Sequence, residues 1–182
     1  MRVIAGSAKG RRLEAVPGAT TRPITDRTKE ALFNILGSWL AGARLLDLFA
    51  GTGAVGIEAL SRGAAFVLFV DKAGPALKTI HHNLRHTGLA GRARVLRGDA
   101  FKILARPVDE PFDLVYIAPP QYAGLWARAL HTLDAHIDLL AGDGIAIAQI
   151  HPKEFEDLPL RHLSLYRRRT YGSTQLCFYE RI

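Results

Sequence analysis

Apolar positions along the chain switch repeatedly between unbroken runs and helical spacing. Arg44 to Ala50 (RLLDLFA) is a short apolar run ending at Gly51, and Ala54 to Ser61 then carries Val55, Ile57 and Leu60 at helical intervals. Phe66 to Val70 (FVLFV) is a second such run, closed by Asp71. Pro75 to Thr87 reads as a helix, with Gly88 placed to stop it. Ala93 to Arg97, Phe112 to Ala118 and Ile145 to Ile150 supply three further strands. Runs apolar on both faces and separated by helices predict an α/β protein with a parallel sheet covered on both sides. An all-antiparallel sheet would show polar residues at every second position, and these runs mostly do not.

The two ends of the chain differ from this middle. Residues 1–22 are basic, Gly-rich and turn-like, with Val3, Ile4 and Leu13 as apolar anchors, which predicts a small hairpin. Residues 160–180 predict two antiparallel strands, LRHLSLYRRR and TQLCFYE, turning at Tyr171-Gly172-Ser173. No repeat, low-complexity tract or linker marks a second domain. The expectation is one domain over 1–182, with 1–22 as a basic hairpin extension.

Composition narrows the partners. The chain is 48% hydrophobic and 23% charged, and 24 Lys and Arg against 17 Asp and Glu give a net charge of +7. Such an excess favours a polyanion such as nucleic acid, although it also serves plain solubility. Cys177 is the only cysteine, so no internal disulfide can form. The start, MRVIAGSAKGRR, lacks an apolar signal core, and no apolar run approaches the roughly 20 residues of a membrane span. A soluble, cytoplasmic monomer with no membrane partner is expected.

The strongest local signal is DLFAGTGAVGIEAL, residues 47–60. A strand delivers the chain to Gly51, Thr52 and Gly53 follow, and a helix opens with its amides pointing back at a ligand. The spacing fits a nucleotide-like cofactor only loosely. Asp47, however, lies within the strand just before the loop, where a carboxylate would repel a diphosphate. It suits a cofactor with an amino group or a positive charge, and S-adenosylmethionine has both. Asp71, 20 residues after Gly51, stands where a carboxylate accepts hydrogen bonds from ribose hydroxyls. Asp99, in RGDAF, can receive an adenine amino group, with Ala100 or Phe101 adding backbone or an apolar wall. Phe49, Thr52 and Lys72 complete the candidate cofactor set. Each aspartate alone reads equally well as a helix N-cap.

With these residues assembled, the chain resembles the bacterial small-subunit rRNA guanine-N2 methyltransferases, the RsmD family. The likeness lies in MRVIAGSAKGRRL at 1–13, TRPITDRTKEALFNIL at 21–36, LDLFAGTGAVGIEALSRGA at 46–64 and YGSTQLCFY at 171–179. The second block is the most specific, since generic Rossmann-like methyltransferases lack it. The resemblance implies a Rossmann-like class I S-adenosylmethionine-dependent methyltransferase with a seven-stranded, mostly parallel sheet. It implies methyl transfer to the exocyclic N2 of one 16S rRNA guanine, guanine 966, with an assembled or assembling small ribosomal subunit as substrate. Asn34 resembles the family position near the cofactor.

The basic residues have a reading of their own. Thr21, Arg22, Thr25, Arg27 and Lys29 place three positive charges and two hydroxyls around a helix start near Thr28, a cluster suited to RNA phosphates. The plainer alternative is a solvated helix entrance capped by Asp26. Arg2, Lys9, Arg11 and Arg12 extend the basic surface, and Arg167, Arg168 and Arg169 add to it from the other end.

One position breaks the family pattern. The resemblance implies an Asp-Pro-Pro motif with an aromatic after it. The Asp side chain and the next backbone carbonyl would pull on the two N–H bonds of the target amine. Here FDLVYIAPPQY (112–122) puts Ala118 in the Asp place, followed by the Pro119 carbonyl, Pro120, Gln121 and Tyr122. A flipped-out base could stack on Tyr122. Three readings stay open. Gln121 supplies an amide oxygen, or another acceptor or a water serves with slow turnover, or the protein binds cofactor and rRNA with weak or no catalysis. That last includes a deliberate Asp-to-Ala change. A dinucleotide oxidoreductase would leave the Pro-Pro turn and the basic entrance unexplained. His81, His82 and His86 share a helix without a carboxylate or cysteine in that stretch to complete a metal site, so no metal is expected. Cys177 reads as core packing.

Overall fold

The computed structural model of the protein describes residues 1–20 and 23–182. They form two compact units, Met1–Gly98 and Asp99–Ile182. Thr21 and Arg22 lie outside the described residues, so nothing is stated of the contacts expected for them.

The first unit opens with a tight hairpin. Arg2 and Arg12 form an antiparallel bridge, Val3 N–H donates to Arg11 O (2.9 Å) and Gly10 N–H to Val3 O (2.8 Å). Val3, Ala8 and Leu13 are buried beneath it. Helix α1 (Asp26–Leu36) follows, and Thr25 is its N-cap, accepting from Thr28 N–H at 3.2 Å. The helix therefore begins two residues before Thr28, with Thr25 rather than Asp26 as the cap. A hydroxyl acceptor on an extended residue satisfies an otherwise orphan amide there. Its buried face, Thr28, Lys29, Leu32, Phe33 and Leu36, recurs at helical spacing.

Next come β1 (Arg44–Leu48), α2 (Ala54–Ser61), β2 (Phe66–Asp71), α3 (Gly74–Thr87) and β3 (Ala93–Arg97). The order in space is β3-β2-β1, all parallel, with Arg44 opposite Phe66 and Val67 opposite Ala93. Leu45 and Leu46 point to opposite faces of β1 and both are fully buried, which explains its unbroken apolar run. Gly88, at φ 73°, stops α3.

The second unit contains α4 (Ala100–Leu104), β4 (Phe112–Ile117), α5 (Leu125–Ala135), β5 (Leu140–Ile150), a 3-10 turn at Pro152–Glu154, β6 (Leu163–Tyr171) and β7 (Thr174–Arg181). Its strands run β4-β5-β7-β6, with β4 and β5 parallel and both other pairings antiparallel. The closing hairpin turns at Gly172, φ 59°. Strand β5 starts five residues before the expected Ile145, because AGDG (141–144) looks like a turn yet belongs to the strand across from a bulge between Phe112 and Leu114. A Cβ on Gly144 would sit 3.0 Å from Asp113 O, so the irregular pairing requires glycine. Asp134, buried, accepts from the amides of Arg161, His162 and Leu163 and so fixes where β6 begins. Among the described residues no helix is long and apolar enough to cross a membrane.

Candidate active site

The loop leaving β1 is held by backbone amides meeting carboxylates. Phe49 and Gly51 both take left-handed conformations, φ 58° and 57°; for a bulky residue this is unusual and requires surrounding structure to enforce it. Gly51 N–H donates to Asp71 Oδ2 and Ala73 N–H to Asp71 Oδ1, both at 2.9 Å. Asp71 thus ties the end of β2 to the glycine loop, and each of its oxygens keeps a lone pair for a further donor. A Cβ on Gly51 would meet only Phe49 O, at 4.0 Å, so the loop presents bare backbone there. Gly56 has the opposite role. A Cβ on it would lie 2.3 Å from the Phe69 ring, so this glycine lets α2 pack closely on β2.

Asp47 lies beneath the loop, 2% exposed, and accepts Gly56 N–H at 3.1 Å. Burial raises its carboxyl to about 8, against the opposing pull of that amide and with a small push from Asp71. One of its oxygens is therefore a brace for the first turn of α2. An amino group or positive charge brought near would restore the ionised form. Thr52, largely buried, accepts Ala54 N–H on its hydroxyl at 3.3 Å, and Gly53 opens α2 at φ 77°. Phe49 is half-buried, while Asn34 on α1 and Lys72 after β2 are exposed. A carboxylate with acceptor capacity left on Asp71 and a bare glycine backbone fit a nucleoside cofactor with ribose hydroxyls and an amino group.

Behind this loop lies a set of contacts that the local sequence did not announce. Asn83, fully buried on α3, donates to Thr52 O (3.0 Å) and Glu14 O (3.1 Å) and accepts Glu14 N–H (2.8 Å). It clips the segment after the hairpin to the glycine loop. Its position between Ile80 and Leu84 on the apolar face of α3 is the signal that could have revealed it. Glu58, fully buried on α2, accepts the Ile4 and Ala5 amides (2.9 and 3.1 Å) and pairs with Lys29 Nζ (3.3 Å) and Arg62 Nε (2.8 Å). Ser61 takes the next turn of the arm, accepting Ala8 N–H on its hydroxyl and Ser7 N–H on its carbonyl.

Lys29 therefore corrects an expectation. It is fully buried, donates to Arg2 O as well as pairing with Glu58, and burial lowers its pKa against the attraction of Glu58. Its charge organises the interior and is withdrawn from phosphate. The other described candidates for RNA contact are exposed. Arg2 pairs with Asp26 at 3.5 Å, Arg11 donates to His86 O at 2.6 Å, Arg12 and Arg27 are exposed, and Arg168 lies 4.0 Å over the Phe155 ring. His82 meets Glu14 at 3.2 Å and stacks on His86.

In the second unit, Asp99 caps α4, with Phe101 and Lys102 N–H both donating to Oδ1 (2.9 and 3.1 Å). Both bonds fall on one oxygen, so the cap and a role for Oδ2 are compatible; Ala100, next to it, is buried. Strand β4 ends at Ile117, and the turn after it runs from half-buried Ala118 through buried Pro119 to exposed Pro120 and Gln121. Tyr122 is 65% exposed, at φ 60°, with its N–H donated to Glu154 Oε1 at 2.7 Å and its ring 5.4 Å from that of His151. Glu154 and His151 were not among the expected residues. A cleft lined by Arg106, Pro107, Val108, His136, Ile137 and Asp138 contains none of the candidate residues.

Residues 1–180 match the family described as "Conserved hypothetical protein 95". The chain is 43% identical over 185 residues to "Putative rRNA methyltransferase YlbH" of Bacillus subtilis, covering 100% of this chain and 99% of that protein. It is 32% identical over 181 residues to "Ribosomal RNA small subunit methyltransferase D" of Escherichia coli, covering 100% of this chain and 90% of the relative. The chain belongs to the RsmD family. The solved structure of "Putative methyltransferase yhhF from Escherichia coli" superposes with a TM-score of 0.85 at 34% identity, over 100% of this chain and 97% of that one. The RsmD-like chain has the Rossmann-like class I fold, a seven-stranded, mostly parallel sheet flanked by helices. It is an S-adenosylmethionine-dependent methyltransferase.

Proposed function

We propose that this protein methylates the exocyclic N2 of a guanine in 16S rRNA, guanine 966, acting as a cytoplasmic monomer on an assembled or assembling small ribosomal subunit. One methyltransferase domain over 1–182 is proposed to carry the reaction. The observation that carries the reading is the turn after β4, where the Pro119 carbonyl is followed by a rigid Pro120 and an exposed, left-handed Tyr122.

Guanine N2 is a weak nucleophile because its lone pair is shared with the ring, so much of the rate must come from orientation. Bound S-adenosylmethionine supplies a methyl carbon on a positively charged sulfur, with no covalent enzyme intermediate needed. Asp71 accepts the ribose hydroxyls, Asp47 answers the amino end, and Asn34, Phe49, Gly51, Thr52, Gly53 and Lys72 complete the cradle. Asp99 and Ala100 receive the adenine. The Pro119 carbonyl accepts one N–H of the target amine, drawing electron density to the nitrogen as positive charge develops. Tyr122 offers a face for the extruded base. Arg2, Arg11, Arg12, Arg22, Arg27 and Arg168 grip the phosphates.

Ala118 leaves the second N–H without the motif carboxylate, and Gln121 or another acceptor takes its place. The same residue favours a second reading, a cofactor- and rRNA-binding protein with weak or no turnover. Tritiated-methyl transfer to 16S rRNA, naked and in particles, tests both with the chain as it stands, Ala118→Asp and Gln121→Ala. Restoring the carboxylate should raise the chemical rate by about a hundredfold, the cost of a lost transition-state hydrogen bond. Abolished transfer in Gln121→Ala, with cofactor binding intact, would assign the acceptor to Gln121. Transfer by Ala118→Asp alone would establish the second reading. Failure of all three on every rRNA form, with cofactor still bound, would overturn the substrate.

A further inference from the structure

Tyr122 is too exposed for core packing to aim its ring, so its direction depends on its backbone. That backbone is left-handed at φ 60°, and Gly124 follows at φ 65°. The group that holds it comes from elsewhere in the chain. Glu154 accepts Tyr122 N–H on Oε1 (2.7 Å) and His151 N–H on Oε2 (3.0 Å). His151 completes a capping box around the Pro152–Glu154 turn by accepting Lys153 N–H on Nδ1 (3.1 Å). One carboxylate thus joins two backbone segments and brings two rings to 5.4 Å, inclined by 38°.

We infer that Glu154 is a positioning residue for the target base, fixing Tyr122 so that its ring and that of His151 form one platform for a purine. The inference rests on the reading above that the base docks at this turn. Stacking on an aromatic face is tolerant of base identity and needs only that the ring be held.

The test uses the full chain with Tyr122→Ala, Glu154→Gln and the double variant. Two readouts are taken with small-subunit rRNA: the single-turnover methylation rate, and the fluorescence of 2-aminopurine placed at the target position, which is quenched on stacking. Affinity for S-adenosylhomocysteine and thermal midpoint accompany both. Glu154→Gln should lower rate and quenching by roughly tenfold, as one mispositioned platform would. Cofactor-product affinity and midpoint should stay near those of the parent. The double variant should be no worse than Tyr122→Ala. A Glu154→Gln effect that persists in the Tyr122→Ala background overturns the inference, as does a silent Glu154→Gln beside a defective Tyr122→Ala. If Tyr122→Ala itself changes neither readout, the docking of the base at this turn fails first, and the inference with it.

Discussion

The loop leaving β1 and the turn leaving β4 are built on opposite plans. At the first, Asp47, Asp71, Thr52 and Asn83 each make hydrogen bonds that fix backbone before any ligand arrives. At the second, an exposed Tyr122 is held through one carboxylate, and Ala118 contributes no side-chain acceptor. Asp47, Asp71 and Thr52, proposed to hold the cofactor, are therefore also structural, whereas Ala118, Gln121 and Tyr122, proposed to meet the base, carry little structural duty. Substitutions in the first region should change stability and affinity together. Those in the second should change rate alone.

The largest effect is expected behind the first region. Glu58→Ala would leave Lys29 buried without its carboxylate partner, at a cost of about 3–5 kcal/mol in the unfolding free energy measured by chemical denaturation. Gln121→Ala, on the exposed turn, should stay within about 0.5 kcal/mol. A Gln121→Ala loss near that of Glu58→Ala would break the contrast. Next, Asp71→Asn turns an NH2 toward one of the two amides it now accepts. Losing a hydrogen bond to a charged group costs about 1.5–3 kcal/mol, so calorimetric affinity for S-adenosylhomocysteine should fall by at least tenfold, with a lower midpoint.

Asp47 gives a signed pH effect. Its folded carboxyl is raised to about 8, while an unfolded Asp titrates near about 3.9. Between those values the folded state holds a proton the unfolded state lacks, so stability from this group is present at low pH and falls as pH rises. Unfolding free energies from urea titrations should show Asp47→Asn gaining on the parent by up to about 1.4 kcal/mol per pH unit from about pH 5 to 8, then levelling. A gap of constant size would mean that Asp47 is ionised throughout. The smallest effect is expected at the surface. Arg27→Gln should weaken particle binding a few-fold and make its salt slope shallower by about one, with stability unchanged.

Much of this was readable from the chain because the information was local. Leu45 to Leu48 are buried on both faces, and Phe66 to Val70 are buried on one and at least half-buried on the other, so their apolar runs mark strands directly. Gly88 and the Gly172 turn end their elements through backbone conformations that glycine favours. Lys29 misled because its partner, Glu58, lies 29 residues on and nothing nearby in sequence distinguishes a buried lysine from a phosphate-binding one. Glu154 escaped notice for a similar reason, being 32 residues from the Tyr122 amide it accepts. Asp99 satisfied two descriptions at once, as a cap and as a ligand contact, and hydrogen bonds seen in the structure establish only the first.

The clasp on the amino-terminal arm bears on how the chain is made. Ile4 and Ala5 depend on Glu58, 54 and 53 residues later, and Glu14 depends on Asn83, 69 residues later. During synthesis the arm leaves the ribosome before α2 and α3, and these partners of Ile4, Ala5 and Glu14 are absent until they have been translated. Contacts between such distant residues close slowly. The arm therefore cannot reach its final contacts before α2 and α3 are in place, and its docking is a long-range step laid over a glycine loop that Asn83 also holds directly through Thr52 O.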